Sequence, residues 1–163
     1  MPLLIWKRES NMPADKKNKN LSYTVLFSET PKNVFEAINN VRGWWSEELK
    51  GKSDKLGGKF TYKYKDMHES TQKISELVPN KKVVWKVSDA RLYFLKNQTE
   101  WNGTEIIFEI KKKDDKTELI FTHKGLTPDV ECYEACHQGW GYYIKTSLPS
   151  LIRKGKGKPN PEA

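Results

Sequence analysis

Residues 132–151 read CYEACHQGWGYYIKTSLPSL, and the way this stretch folds decides the architecture of the chain. Cys132, Cys136, Trp140, Ile144, Leu148 and Leu151 recur at spacings of four, four, four, four and three, which lines up one face of an α-helix. Asp129 stands ahead of them as a candidate cap. Gly139 and Gly141 each cost about 1 kcal/mol relative to alanine, and Pro149 removes a backbone donor, so the spacing predicts a long amphipathic helix bent near its last turns. In such a helix the two thiols point the same way but a bridge would be strained, so Cys132 and Cys136 are expected reduced.

Upstream of this helix the hydrophobic period changes from about four to two. Thr117, Leu119, Phe121 and His123 share one face of a strand, and Thr104, Ile106, Phe108 and Ile110 share a face opposite Glu105, Ile107 and Glu109; Asp114-Asp115 turns one strand into the other. A second hairpin joins residues 67–78 to Val83, Trp85 and Val87 through Pro79-Asn80. Before it, Phe60, Tyr62 and Tyr64 alternate with Thr61 and Lys63 after the Gly57-Gly58 break. A first strand is expected over residues 21–28. Thr30-Pro31 then starts a helix that places Val34, Phe35 and Ile38 on one face and ends at Asn39-Asn40, and residues 41–48 form a second short helix or turn. One strand, two short helices, an antiparallel meander of about five or six strands and a long helix make an α+β domain with its helices on one face of the sheet.

The 163-residue length allows one domain with tails. Hydrophobic residues are only 36% of the chain, but aromatics reach 12% with six Trp, so the apolar material is concentrated in large side chains and wholesale disorder is excluded. The formal charge is +8, of which residues 1–20 and 153–163 carry +3 each. The body is nearly balanced, which gives no reason to expect nucleic-acid binding. We read residues 1–20 as a disordered basic leader, with Met12 an alternative start, residues 21–152 as the domain, and residues 153–163 as a flexible basic tail. Leu3 to Trp6 is too short an apolar run for a membrane span or a signal core, so a cytoplasmic protein without membrane insertion is expected.

Several motifs, in order, carry a family resemblance. They are Pro31 with Val34, Phe35 and Ile38; Trp44-Trp45; GGKF at 57–60; ISELVPNKKVVW at 74–85; TELIFTHKGL at 117–126; and Gly139-Trp140 with Leu148. From about residue 21 to 152 the chain resembles the helix-grip superfamily of START, birch-pollen-allergen-like and polyketide-cyclase-like (SRPBCC) domains. Within it the chain is similar to activators of the heat-shock-protein-90 ATPase and their free-standing bacterial relatives. The resemblance implies a curved sheet wrapped around the C-terminal helix, with a cavity between them that receives an apolar ligand in many relatives.

The inward aromatic series, facing the helix residues Cys136 and Trp140, would line that cavity. The expected ligand-binding residues are Tyr62, Tyr64, Trp85, Phe108, Phe121, His123, Cys136 and Trp140, with His123 or a tyrosine hydroxyl orienting a polar group. His68 lies on a weakly patterned strand, and Glu100 and Arg42 are left unplaced. Two thiols without further ligands do not make a metal site, and no nucleophile, phosphate-cradling or paired-carboxylate motif is present. No metal and no cofactor is expected. The sequence thus reads as a non-catalytic binder of a hydrophobic small molecule. The alternatives are a cyclase or dehydratase using His123 as base, and a co-chaperone-like protein-interaction module.

Overall fold

The period-two segments pair into a single antiparallel sheet. The structure is a computed structural model that describes residues 19–159; residues 1–18 of the leader expected over residues 1–20, and the last four positions of the tail, lie outside the described residues. Its strands are β1 (Leu21–Phe27), β2 (Lys50–Gly51), β3 (Lys59–Tyr64), β4 (His68–Val78), β5 (Lys82–Leu92), β6 (Glu105–Lys113) and β7 (Lys116–Lys124). They lie in the order β1-β7-β6-β5-β4-β3-β2, so the meander from β2 to β7 is closed at one edge by the N-terminal strand. Register is fixed by burial, because a one-residue slip would turn Phe108 and Phe121, which face each other across β6 and β7, out to solvent. Asn80 and Asp114 adopt left-handed conformations in the two hairpin turns that the sequence marks. Register shifts at Thr71/Gln72 and Ile74/Glu76 bend β4, the local curvature a bulge produces.

Two short helices, α1 (Pro31–Asn39) and α2 (Val41–Trp44), follow β1. Thr30 caps the first, its Oγ1 accepting the Asn33 N–H at 3.1 Å, with Pro31 in the first turn. The second ends at Trp44, earlier than the reach to residue 48 that was expected.

The C-terminal helix runs as α3 (Tyr133–Tyr142), a π-helical turn over Tyr143–Ser147, and α4 (Leu148–Lys154). The expected bend takes the form of this wide turn. Pro149 has no N–H for an ordinary helical bond and its ring crowds the carbonyl four residues back; the Leu148 N–H instead reaches the Tyr143 carbonyl. The inward face therefore spreads over neighbouring Tyr143 and Ile144, both buried. Helix entry also differs from expectation. The helix starts at Tyr133, and the Glu131 and Cys132 N–H groups donate to the Glu100 carboxylate at 2.7 and 2.9 Å, so a distant carboxylate does the capping and not Asp129.

The segment read as a flexible tail from residue 153 is helical to Lys154, which Gly155 ends at φ 79°. Beyond it the chain is tied back. Ser150 Oγ donates to the Lys156 carbonyl at 2.6 Å, Tyr142 Oη donates to the Lys158 carbonyl at 2.9 Å, and the Lys158 N–H donates to Ser147 Oγ at 2.9 Å.

Between helix and sheet the core is aromatic. Trp44 stacks on Trp85 at 6.2 Å, Trp85 meets Phe108 at 4.8 Å, and Phe121 packs between Phe108 at 5.3 Å and Trp140 at 4.7 Å. No described helix is long and apolar enough to cross a membrane.

Candidate functional site

The aromatic packing does not fill the whole space under the helix. Where β3, β4 and β5 run out past the core, a cavity of about 330 Å³ lies between the sheet and α3. Tyr62 and Tyr64 of β3, His68 at the start of β4 and Leu92 at the end of β5 form its sheet wall. The helix wall is Ala135, Cys136, Gly139, Trp140 and Tyr142, continued by Tyr143 in the wide turn. Trp45 enters from the connection after α2, Trp101 and Phe94 from the connection between β5 and β6, and Met67 from the turn before β4. Met67 and Phe94 are 44% and 46% exposed, which marks the mouth.

Trp45 separates the cavity from the core. It stacks on Tyr62 at 3.9 Å and on Trp140 at 5.1 Å on the cavity side, and on Trp85 at 5.6 Å on the other. Trp101 lies within 9° of parallel to Trp140. The phenols of Tyr62 and Tyr143 hydrogen-bond each other at 3.0 Å. Burial raises both above the ordinary phenol value, Tyr143 to about 12; their mutual hydrogen bond raises Tyr62 further and lowers Tyr143, and both keep their protons at neutral pH. His68 bonds Ser70 Oγ through Nε2 at 3.0 Å, and burial lowers it to about 3, so it faces the cavity as a neutral ring.

His123 sits behind this wall. Trp140 Nε1 donates to its Nδ1 at 3.0 Å, and its Nε2 meets Thr104 Oγ1 at 2.9 Å. Thr104 already spends its hydrogen on the Trp101 carbonyl at 2.7 Å, so the proton of this contact must come from His123 Nε2. Both ring nitrogens are thereby used, and burial, with a smaller contribution from His68, lowers the group to about 3. The network links Trp101 and Trp140, two of the three tryptophans of the cavity wall, through one neutral histidine.

The loop carrying Trp101 is clamped to the start of α3 from both directions. Glu100 caps the helix as described, and the Glu131 carboxylate accepts the Lys96 and Asn97 N–H groups at 3.0 Å each, bonds that hold its pKa below the usual carboxylate value. Glu100 thus belongs to the frame of the site and not to its mouth, and Arg42 is engaged elsewhere, donating to the Gly51 carbonyl at 3.2 Å.

Of the eight residues expected to bind ligand, the structure brings Tyr62, Tyr64, Cys136 and Trp140 to the cavity wall. It places Trp85, Phe108, Phe121 and His123 in the packed core at 0% exposure. Trp45 lies between Trp85 and the cavity, Phe108 packs on Trp44 and Trp85, and Trp140 covers Phe121 and His123. Trp45, His68, Trp101 and Tyr143 were not among the expected residues; only the Trp44-Trp45 pair and the aromatic beside Glu100 gave a signal. The cysteines are also corrected. Cys132 stands at the helix entry, its Cα is 5.6 Å from that of Cys136, within disulfide range, and the structure pairs them. Cys136 therefore faces the cavity as half of a disulfide. No cluster of three or more metal-ligating side chains occurs among the described residues.

A curved antiparallel sheet gripping a C-terminal helix over an apolar cavity defines the helix-grip class of α+β domains. The family described as Activator of Hsp90 ATPase homolog 1-like protein matches residues 28–153, and the chain belongs to that family. Among solved structures, the Aha1 dimer from Colwellia psychrerythraea superposes with a TM-score of 0.69 at 22% identity, over 85% of this chain and 99% of that one. The protein SSP2350 from Staphylococcus saprophyticus gives 0.63 at 17% identity, over 86% and 96% of the two chains. DynU16, from the dynemicin biosynthetic locus, gives 0.63 at 13% identity, over 84% of this chain and 48% of its own. At these identities the likeness is one of fold. A search of curated proteins finds no match.

Proposed function

We propose that this domain binds a hydrophobic small molecule in the cavity between its sheet and its C-terminal helix. The observation that carries the reading is an open cavity of about 330 Å³ whose described lining holds no formally charged side chain and is mostly aromatic. That volume is at the lower end of the roughly 300–1,000 Å³ usual for ligand sites, and an apolar wall with a few convergent polar groups is their usual make-up. Similarity of fold to a protein of the dynemicin biosynthetic locus is in keeping with this. A cyclase or dehydratase working through His123 has less support, because both nitrogens of that ring are engaged away from the cavity.

Native mass spectrometry of the protein from its own host, followed by denaturation and extraction, tests the reading. A co-purifying apolar compound is the expected result. A Cβ added at Gly139 meets nothing within 4 Å, so Gly139→Leu is a blocking variant that should fold and lose the compound. Equal retention by wild type and Gly139→Leu would place the ligand elsewhere and defeat the proposal.

A further inference from the structure

We infer that the cavity selects an uncharged planar ring system that presents a hydrogen-bond-accepting oxygen, such as a ketone or quinone carbonyl, and excludes carboxylates; this deepens the ligand-binding reading and rests on it. The first support is electrostatic. None of the fourteen described lining residues is formally charged, so a buried carboxylate would lose its hydration and meet no cation. A fatty-acid anion is therefore a poor occupant.

The second support is a count of hydrogens. Tyr62 and Tyr143 carry two phenolic hydrogens, and their mutual bond uses one. The other has no acceptor among the described residues. Buried donors are nearly always paired, so this spare phenolic donor on a cavity-lining pair points to an acceptor brought by the ligand. His68 Nδ1 adds a polar atom whose role follows the tautomer.

The third support is shape. Eight of the fourteen described lining residues are Trp, Tyr or Phe, and Trp101 and Trp140 lie within 9° of parallel, so ring surfaces dominate the wall and favour a flat occupant.

Matched probes test the inference: fluorenone, fluorene and fluorene-2-carboxylate, titrated calorimetrically into the full chain at pH 7. One hydrogen bond at about 0.5–1.5 kcal/mol predicts fluorenone about 5-fold tighter than fluorene. The carboxylate should bind at least about 100-fold more weakly than fluorenone. The double variant Tyr62→Phe/Tyr143→Phe removes both phenolic donors and keeps the aromatic rings. It should bring the ketone's advantage under about twofold while fluorene affinity holds. Should the variant fail to fold, the comparison of ketone with hydrocarbon in wild type remains the test. Equal binding of ketone and hydrocarbon, or carboxylate binding as tight as ketone, overturns the polarity inference and leaves the ligand reading standing. Binding of none of the three overturns it also, and a generic apolar dye then decides the broader reading: displacement by Gly139→Leu keeps it, and no dye binding to wild type removes it.

Discussion

Acidification from pH 7 to pH 5 should cost this protein stability through His123, by an amount that its burial fixes. In the unfolded chain the imidazole takes a proton below about pH 6.5. In the fold it resists protonation down to about 3, because the ring is fully buried and Trp140 holds its Nδ1 as an acceptor. Between those values the unfolded state holds more protons than the native state, so stability rises with pH across the window and falls as pH drops through it. At pH 5 the difference integrates to about 2 kcal/mol for this one group. For a chain of this size that is a fall in Tm of about 4–8 °C. His68 and the carboxylates titrate too, so the assay is a difference of differences: urea unfolding followed by tryptophan fluorescence at pH 7 and pH 5, for wild type and His123→Asn. The variant should be less stable at pH 7 by about 1–3 kcal/mol, having lost one buried hydrogen bond and some packing. Its further loss on going to pH 5 should be smaller than that of wild type by about 2 kcal/mol. Equal losses would mean that His123 accepts its proton inside the fold, and the neutral ring bridging Trp140 and Thr104 would be the wrong description.

Three further outcomes follow from the frame of the site. Glu100→Ala removes the acceptor for two helix-entry amides and should cost about 0.5–2 kcal/mol, with faster hydrogen exchange at Glu131 and Cys132 as the local sign; unchanged exchange there would deny the cap. Gly139→Ala places a methyl group in open space on a helix and should stabilise by up to about 1 kcal/mol in thermal unfolding, and a loss of stability would show that the space is filled. Cys132 and Cys136 should resist alkylation in the denatured, unreduced protein and react after reduction, as seen by intact mass; labelling without reduction would contradict the pairing.

The sheet was legible because its strands alternate cleanly: Phe108 and Phe121 had to face inward together, and the two hairpin turns carry the residues that turns demand. The cavity was only half legible, for a physical reason. Alternation says which side chains point inward, and it gave Tyr62 and Tyr64 correctly, but it treats every inward ring on the sheet alike. Which of those rings border empty space depends on what comes down onto them from elsewhere, and Trp45, carried by the turn after α2, has no period to read. Trp101 lies in a connection whose position depends on the Glu100 and Glu131 carboxylates more than thirty residues apart in sequence. Tyr143 faces inward beside Ile144 in a wide turn whose cause is Pro149, six residues later.

His123, prominent in the sequence, stands beside the cavity and not in its wall. It ends the inward series of β7 as expected, and it is polar where its neighbours are not. Its partners, however, are Trp140 and, through Thr104, the backbone of Trp101, two residues that do line the cavity. A buried neutral imidazole with a donor on one side and an acceptor on the other fixes both neighbours in orientation. The parallel setting of the two tryptophan planes, which gives the cavity its flat wall, therefore depends on a histidine that a ligand in this cavity would never touch.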